Sequence, residues 1–475
     1  MTAVDPVPGE AGSIADPRSY ASGAFDDHRP PDAALLGDCV HCGFCLPTCP
    51  TYVLWGEEMD SPRGRLYLMK EGLDGAPLDD AMVEHWDNCL GCMSCVTACP
   101  SGVRYDTLIE QTRAQVERHH ERPMREKALR GLVFALFPHP GRLRLLRGPI
   151  RALQRTGLDR ALRRRVTKPG GLLERMAPHL AAMERLTPPL QPAERMPARI
   201  PAQGTRRATV AMITGCVQDA FFPEVNAATA RVLAAEGCEV VVPAHQGCCG
   251  ALSVHNGREE EAQRYARAMI DTFEKADAAH GLDGVDYVVI NAAGCGSTLK
   301  DYTRLLADDP AYASRAAAFQ GKVRDIAEVL DELGPAAERH PLPLTVAYHD
   351  ACHLAHAQGV RAQPRRLLAG IPGLEVREIA DPEICCGSAG VYSILHPEAA
   401  AELGRRKAAA IVDTGAEVLV TANPGCLLQV ASSIPASADL GAHAMGMAHL
   451  VEVLDASIRG LAPDRLRSAR STDTS

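Results

Sequence analysis

Residues 39–50 read CVHCGFCLPTCP and residues 89–100 read CLGCMSCVTACP. Both are C-x2-C-x2-C-x3-C-P. Three thiolates on a tight loop can cup one 4Fe-4S cube, while the fourth, followed by proline, turns away to reach a second cube. That logic pairs Cys39, Cys42 and Cys45 with Cys99, and Cys89, Cys92 and Cys95 with Cys49, as ligands of two 4Fe-4S clusters. Zinc ribbons also use C-x2-C pairs. Four cysteines in one short run exceed what a zinc knuckle takes from one loop, and two matching runs make coincidence remote.

Between Cys49 and Cys89 lie 39 residues, including DSPRGRLYLMKEGL (60–73) and DDAMVEHWDN (79–88), both helical in character. The spacer is too long for clusters held in a small sheet, so residues 35–110 are expected to form an all-helical ferredoxin module. Arg63 and Arg65 follow Pro62. They stand either near a cluster, raising its potential, or at a helix N-terminus as solvated arginines.

A chain of 475 residues predicts two to four domains. The aromatic content of 4%, with two Trp, argues against a stacking platform for nucleic acid. The longest apolar stretch, 131–137, falls far short of the roughly 20 residues of a membrane span. Residues 1–16 lack the basic start and apolar run of a secretory signal. A cytoplasmic location follows as an expectation, and there 17 cysteines point to metal ligands or redox groups rather than disulfides. Sixteen fall into four clusters; Cys238 stands apart and reads as a small buried residue. Residues 101–210 hold 23 Lys and Arg against 9 Asp and Glu, a charge of +14, which leaves the rest of the chain at −23. Arg142, Arg144, Arg147 and Arg151 lie among apolar residues, a mixture compatible with a solvated connector or with a helix at a membrane surface.

From residue 207 the chain repeats itself. Cys216, Cys248, Cys249 and Cys295 recur as Cys352, Cys385, Cys386 and Cys426, each set spread over alternating strands and helices. Strands are expected over 208–214, 238–242, 287–291, 344–348, 374–379 and 418–421, which predicts parallel sheets covered by helices. In such sheets ligands gather at the carboxyl ends of the strands, where both cysteine sets fall. These eight thiols are candidate ligands of a further cluster, or small buried apolar residues. His349, His353 and His356 flank Cys352 as proton donors, as groups behind the ligands, or as polar residues lining a strand end. His443 and His449 lie in a stretch with Met445 and Met447 that reads as helical packing.

The fold class expected is therefore α+β multidomain, an N-terminal all-helical ferredoxin module followed by two duplicated α/β Cys-Cys-Gly domains with parallel sheets. The divisions are a mobile tail (1–34), the ferredoxin (35–110), a basic helical connector and linker (111–206), Cys-Cys-Gly domain 1 (207–335), domain 2 (336–462) and a tail (463–475).

With SPRGR between the two ferredoxin runs, and with HCGFCLPTCPTY (41–52), CPSGVRY (99–105), GCCGA (247–251), GCG (294–296), CCGSAG (385–390) and TANPGC (421–426), the chain resembles the iron-sulfur subunits of bacterial glycolate oxidase. The resemblance implies an electron-transfer subunit of a glycolate dehydrogenase complex. FAD would sit on a partner subunit that oxidises glycolate to glyoxylate, this chain would oxidise no substrate alone, and electrons would leave toward a membrane quinone. It implies peripheral contact with the inner face of the cytoplasmic membrane, no transmembrane segment and no nucleic acid. Iron-sulfur subunits of lactate or glycerol-3-phosphate dehydrogenases, and heterodisulfide-reductase-like disulfide or quinone reductases, share the architecture. Heterodisulfide reductase ends each Cys-Cys-Gly domain in C-x-x-C. Here Thr298 and Gln429 hold the second positions, a departure from its noncubane clusters. No G-x-G-x-x-G opens a βαβ unit, so a dinucleotide site on this chain is not supported.

Overall fold

Before residue 199 the described chain is entirely helical, and after it strands and helices alternate. The computed structural model describes residues 23–157, 176–190, 196–275, 281–434 and 445–470. His443, residues 1–22 and 471–475 of the expected tails, and 158–175 of the connector lie outside them.

In the ferredoxin module, Ser61 caps the helix Pro62–Leu73 by accepting from the Gly64 N–H, and Asp79 caps Asp80–Asp87 through the Met82 N–H. These helices and Tyr105–His119 close over Met69, Trp86, Leu108 and Ile109, all fully buried. The expected tail is shorter than 1–34. Phe25 is buried with its ring 5.8 Å from that of Trp86, and Arg29 pairs with Glu259 at 2.5 Å. Asp26 adds to the docking, its carboxylate accepting from Arg118 and Gln115, so a segment whose composition reads as unstructured is held by one aromatic ring and a few charged contacts. The connector forms the helices Met124–Leu136, Pro140–Arg155 and Pro178–Arg185.

Among the described residues nine strands make two sheets. They are β1 (Arg199–Ile200), β2 (Ala208–Met212), β3 (Cys238–Val241), β4 (Tyr287–Ile290), β5 (Val323–Asp325), β6 (Leu344–His349), β7 (Leu374–Glu378), β8 (Val418–Thr421) and β9 (Gly446–His449). The first sheet has the order β1-β3-β2-β4-β5, parallel except for the edge strand β1; the second is β7-β6-β8-β9, all parallel. Apart from β1 the two orders are the same, with the crevice of a doubly wound sheet between β2 and β4 and between β6 and β8. The six expected strands are present. The helical reading around Met445, Met447 and His449 is corrected: β9 pairs in parallel with β8, Thr421 opposite His449. Four fully buried residues show neither helical nor strand periodicity, so pattern alone cannot separate the two.

A pseudo-twofold axis relates the sheets. The helix Pro223–Ala235 packs on Leu450–Ile458, and the helix Ala362–Ala369 on Ile326–Leu333. Each pair carries an equivalent ion pair, Arg231 with Asp455 at 2.7 Å and Arg366 with Asp331 at 2.5 Å. Asp325 and His449 begin equivalent helices as capping boxes with Glu328 and Glu452. One apolar core runs through both units, from Val210, Val240 and Val289 to Val346, Val418 and Val420.

Candidate metal centres

Backbone geometry prepares the ferredoxin loops for a bound anion. His41 and Gly43 in the first run, and Gly91 and Met93 at the matching positions of the second, have φ between 55° and 86°. Left-handed residues so placed turn successive N–H groups inward, a nest of the kind that cradles iron-sulfur clusters. Each fourth cysteine stands at a helix end: Cys49 before Pro50–Trp55, and Cys99 after Ser94–Ala98.

Charge is arranged around the sulfurs. Arg65 is 1% exposed; its guanidinium donates to Thr51 Oγ1 and Asp60 Oδ1, each at 3.1 Å, and lies 4.0 Å from Cys49 Sγ. Of the two expected placements it takes the one beside the sulfur. Arg63 stays partly exposed and pairs with Glu58. Burial pushes the Cys89 thiol up, but Arg65, Arg113 and the Tyr105 hydroxyl, 3.5 Å from Sγ, bring it below its ordinary value. Burial pushes Cys92 and Cys95 well up, with Cys49 among the neighbours that raise both. Burial likewise raises Cys45 to about 11, with Cys49 and Cys39 adding to it. Thiols crowded away from water ionise only beside compensating cations, so the donor set fits iron. Arg113 and Tyr105 were not singled out from sequence; the CPSGVRY run was the signal for Tyr105.

In domain 1 Cys216 follows β2, Cys248 and Cys249 follow β3, and Cys295 follows β4; in domain 2 Cys352 follows β6, Cys385 and Cys386 follow β7, and Cys426 follows β8, so that each set of four meets at its crevice. Cys216 and Cys248 Sγ lie 3.9 Å apart, Cys352 and Cys385 4.0 Å. Cys249 is close enough to Cys248 and Cys295 to interact with both, and Cys386 likewise with Cys385 and Cys426. Cys238 lies away from these groups, buried at the start of β3.

The three histidines near Cys352 separate. A ring nitrogen of His349 lies within 4.8 Å of Cys386 Sγ and Cys426 Sγ. Burial, with Lys407 nearby, pushes this imidazole down to about 3, leaving it in the neutral form that ligates metals. The His353 ring lies tilted against that of His255 with centroids 5.0 Å apart, and His255 Nδ1 is 3.0 Å from the half-buried Glu110. His356 bonds Thr97 of the ferredoxin module at 2.9 Å and pairs with Glu383. His449 caps its helix and reaches the Asn291 carbonyl at 2.8 Å, a structural role.

The two kinds of centre adjoin. Leu90 and Cys92 share one apolar cluster with Cys385 and Tyr392, and Ser94 donates to the Glu383 carbonyl at 2.7 Å. A cavity of about 500 Å³ is lined by Cys89 and all eight Cys-Cys-Gly cysteines together with Leu146, Ile150, Leu153 and Met183 of the connector.

Nested cysteine loops joined to paired thiol-lined crevices define an iron-sulfur electron carrier. Comparisons with known proteins agree. A 4Fe-4S dicluster domain matches residues 36–103, a cysteine-rich domain matches 210–300 and 346–431, and the linker region of the glycolate oxidase iron-sulfur subunit matches 125–187. A probable glycolate oxidase iron-sulfur subunit of Bacillus subtilis is 39% identical over 84% of this chain and 89% of its own. The glycolate oxidase iron-sulfur subunit of Escherichia coli is 37% identical over 84% and 91%. Lactate utilization protein A of an Exiguobacterium strain is 32% identical over 53% of this chain and 98% of its own. The chain belongs to the family of glycolate oxidase iron-sulfur subunits, electron-transfer components of an oxidoreductase complex. Among the described residues no helix is long and apolar enough to cross a membrane.

Proposed function

We propose that this chain accepts electrons singly from a flavin-bearing partner that oxidises glycolate to glyoxylate, and passes them to a membrane quinone. Cys39, Cys42, Cys45 and Cys99 would hold one 4Fe-4S cluster, Cys89, Cys92, Cys95 and Cys49 the other. Cys216, Cys248, Cys249 and Cys295, with Cys352, Cys385, Cys386 and Cys426, would hold further iron. Such clusters exchange one electron at a time and make no carbon bonds. The residues of the chain supply thiolates and exclude water, and Arg65 and Arg113 set the charge around Cys49 and Cys89.

The observation that carries this reading is continuity. Cys92 packs with Cys385, and the cavity touching all eight Cys-Cys-Gly thiols extends to the connector helices. On those helices Leu145 is 78% exposed and Met124 77%, and Pro140–Arg155 also carries Arg151 and Arg155. Apolar residues interleaved with arginines suit a helix resting on an anionic bilayer, the source of an apolar two-electron acceptor.

The test is the assembled complex, purified anaerobically and given glycolate, lactate or glycerol-3-phosphate with a short-chain quinone. Glycolate is expected to support the fastest quinone reduction. In Cys42→Ser, quinone reduction is expected to vanish while glycolate still bleaches the flavin. Quinone reduction surviving that change would remove the first cluster from the path.

A further inference from the structure

The two Cys-Cys-Gly domains differ at their crevices. Three residues before its first cysteine, domain 1 has Ile213 and domain 2 has His349, the last residue of β6. The helices that face the adjacent cysteines differ too. Gly250 and Gly387 abut Ala262 and Ala400, which aligns Met269 of the first helix with Lys407 of the second. Lys407 is 3% exposed, donates to the Asp381 carbonyl at 2.7 Å, and lies within electrostatic reach of Cys385 and Cys386. Domain 2 thus adds an imidazole and an ammonium where domain 1 has two apolar side chains.

His349 is 2% exposed and its Nε2 has no hydrogen-bond partner. Buried polar atoms are rarely left so, and an unpartnered nitrogen on a ring that neighbours two thiols calls for an occupant. A ring nitrogen of His349 and the sulfurs of Cys386 and Cys426 lie within 4.8 Å of one another. Neutral imidazole and thiolate together suit a transition metal and not a hard cation such as calcium or magnesium.

We propose that iron held by domain 2 takes His349 as a nitrogen ligand beside Cys386 and Cys426, whereas domain 1 binds through cysteine alone. The inference rests on the reading that the Cys-Cys-Gly thiols hold iron. Both domains keep four cysteines, so His349 adds a neutral donor rather than a further thiolate, and Lys407 adds a positive charge near Cys385 and Cys386; less negative charge around a cluster raises its potential. Domain 2, which adjoins Cys92, would then be the more readily reduced of the two.

The test uses the whole complex, purified anaerobically, reduced with dithionite and examined by pulsed EPR with and without ¹⁵N-histidine. A directly bonded nitrogen coupling is expected that changes isotope with the label. It should disappear in His349→Cys, with a fall in the midpoint potential of that centre and unchanged ferredoxin signals. The labelled wild type needs no substitution, so the result survives a variant that fails to fold. Iron well above the roughly eight atoms of two 4Fe-4S clusters, with no histidine nitrogen coupling, would overturn the assignment of His349 and leave the cysteine reading intact. A coupling that persists in His349→Gln would overturn it as well. Iron of only about eight, or zinc in domain 2, would overturn both together.

Discussion

Asp325 shows what a single residue contributes away from the metal centres. It ends β5 and caps the helix Ile326–Leu333, accepting from the Ala327 N–H at 2.8 Å, while its other carboxylate oxygen is buried without a partner. Burial, reinforced by Glu328 and opposed by the Ala327 N–H and Lys300, pushes its carboxyl up to about 7. An unfolded aspartate titrates near 4. Between those values the folded chain holds a proton that the unfolded chain lacks, so this group's contribution is greatest below about pH 4 and is lost as pH rises through about 7. Asp325→Asn keeps the capping oxygen and removes the titration. Its urea midpoint under anaerobic conditions is expected to fall less than that of the wild type between pH 5 and pH 8; parallel profiles would contradict the assignment. At this scale the four cysteine groups were legible because most of their members lie close in sequence. His349 was not separable from His353 and His356, because its role depends on two loops more than thirty residues away.

Among the elements, the turn after each adjacent cysteine pair explains why glycine stands there. Gly250 and Gly387 have φ of +86° and +87°, and a Cβ at Gly387 would lie 2.7 Å from the Ala400 carbonyl oxygen. The left-handed turn lets the helix Pro397–Val412 close over Cys385 and Cys386. Gly387→Ala is expected to cost roughly 1–3 kcal/mol, read as a lower thermal midpoint and loss of iron from domain 2; an unchanged midpoint would show that the turn relaxes freely. The principal strands were legible from their apolar runs, and the helix Pro397–Val412 from its period. The short strands β1, β5 and β9 were not. Two to four residues carry no periodicity, and they are strands only because a neighbour in the sheet offers hydrogen bonds. The connector helices could be read, but not the face they present, since that depends on packing against residues remote in sequence.

Over the whole molecule, duplication does more than enlarge the core. The pseudo-twofold axis brings two crevices to one cavity, which the ferredoxin module lines through Cys89 and Leu90. The repeat of cysteine spacing in the sequence announced two like domains; their mutual packing, through Arg231 with Asp455 and Arg366 with Asp331, could be seen only in three dimensions. The central claim is that this chain conducts and its partner does the carbon chemistry. Anaerobic addition of glycolate to the assembled complex, followed by rapid freezing and EPR, tests it most directly. The account predicts that reduced 4Fe-4S signals of this chain appear as the flavin is turned over, and decay when quinone is added. A flavin fully reduced by glycolate, with every cluster of this chain still oxidised, would contradict it.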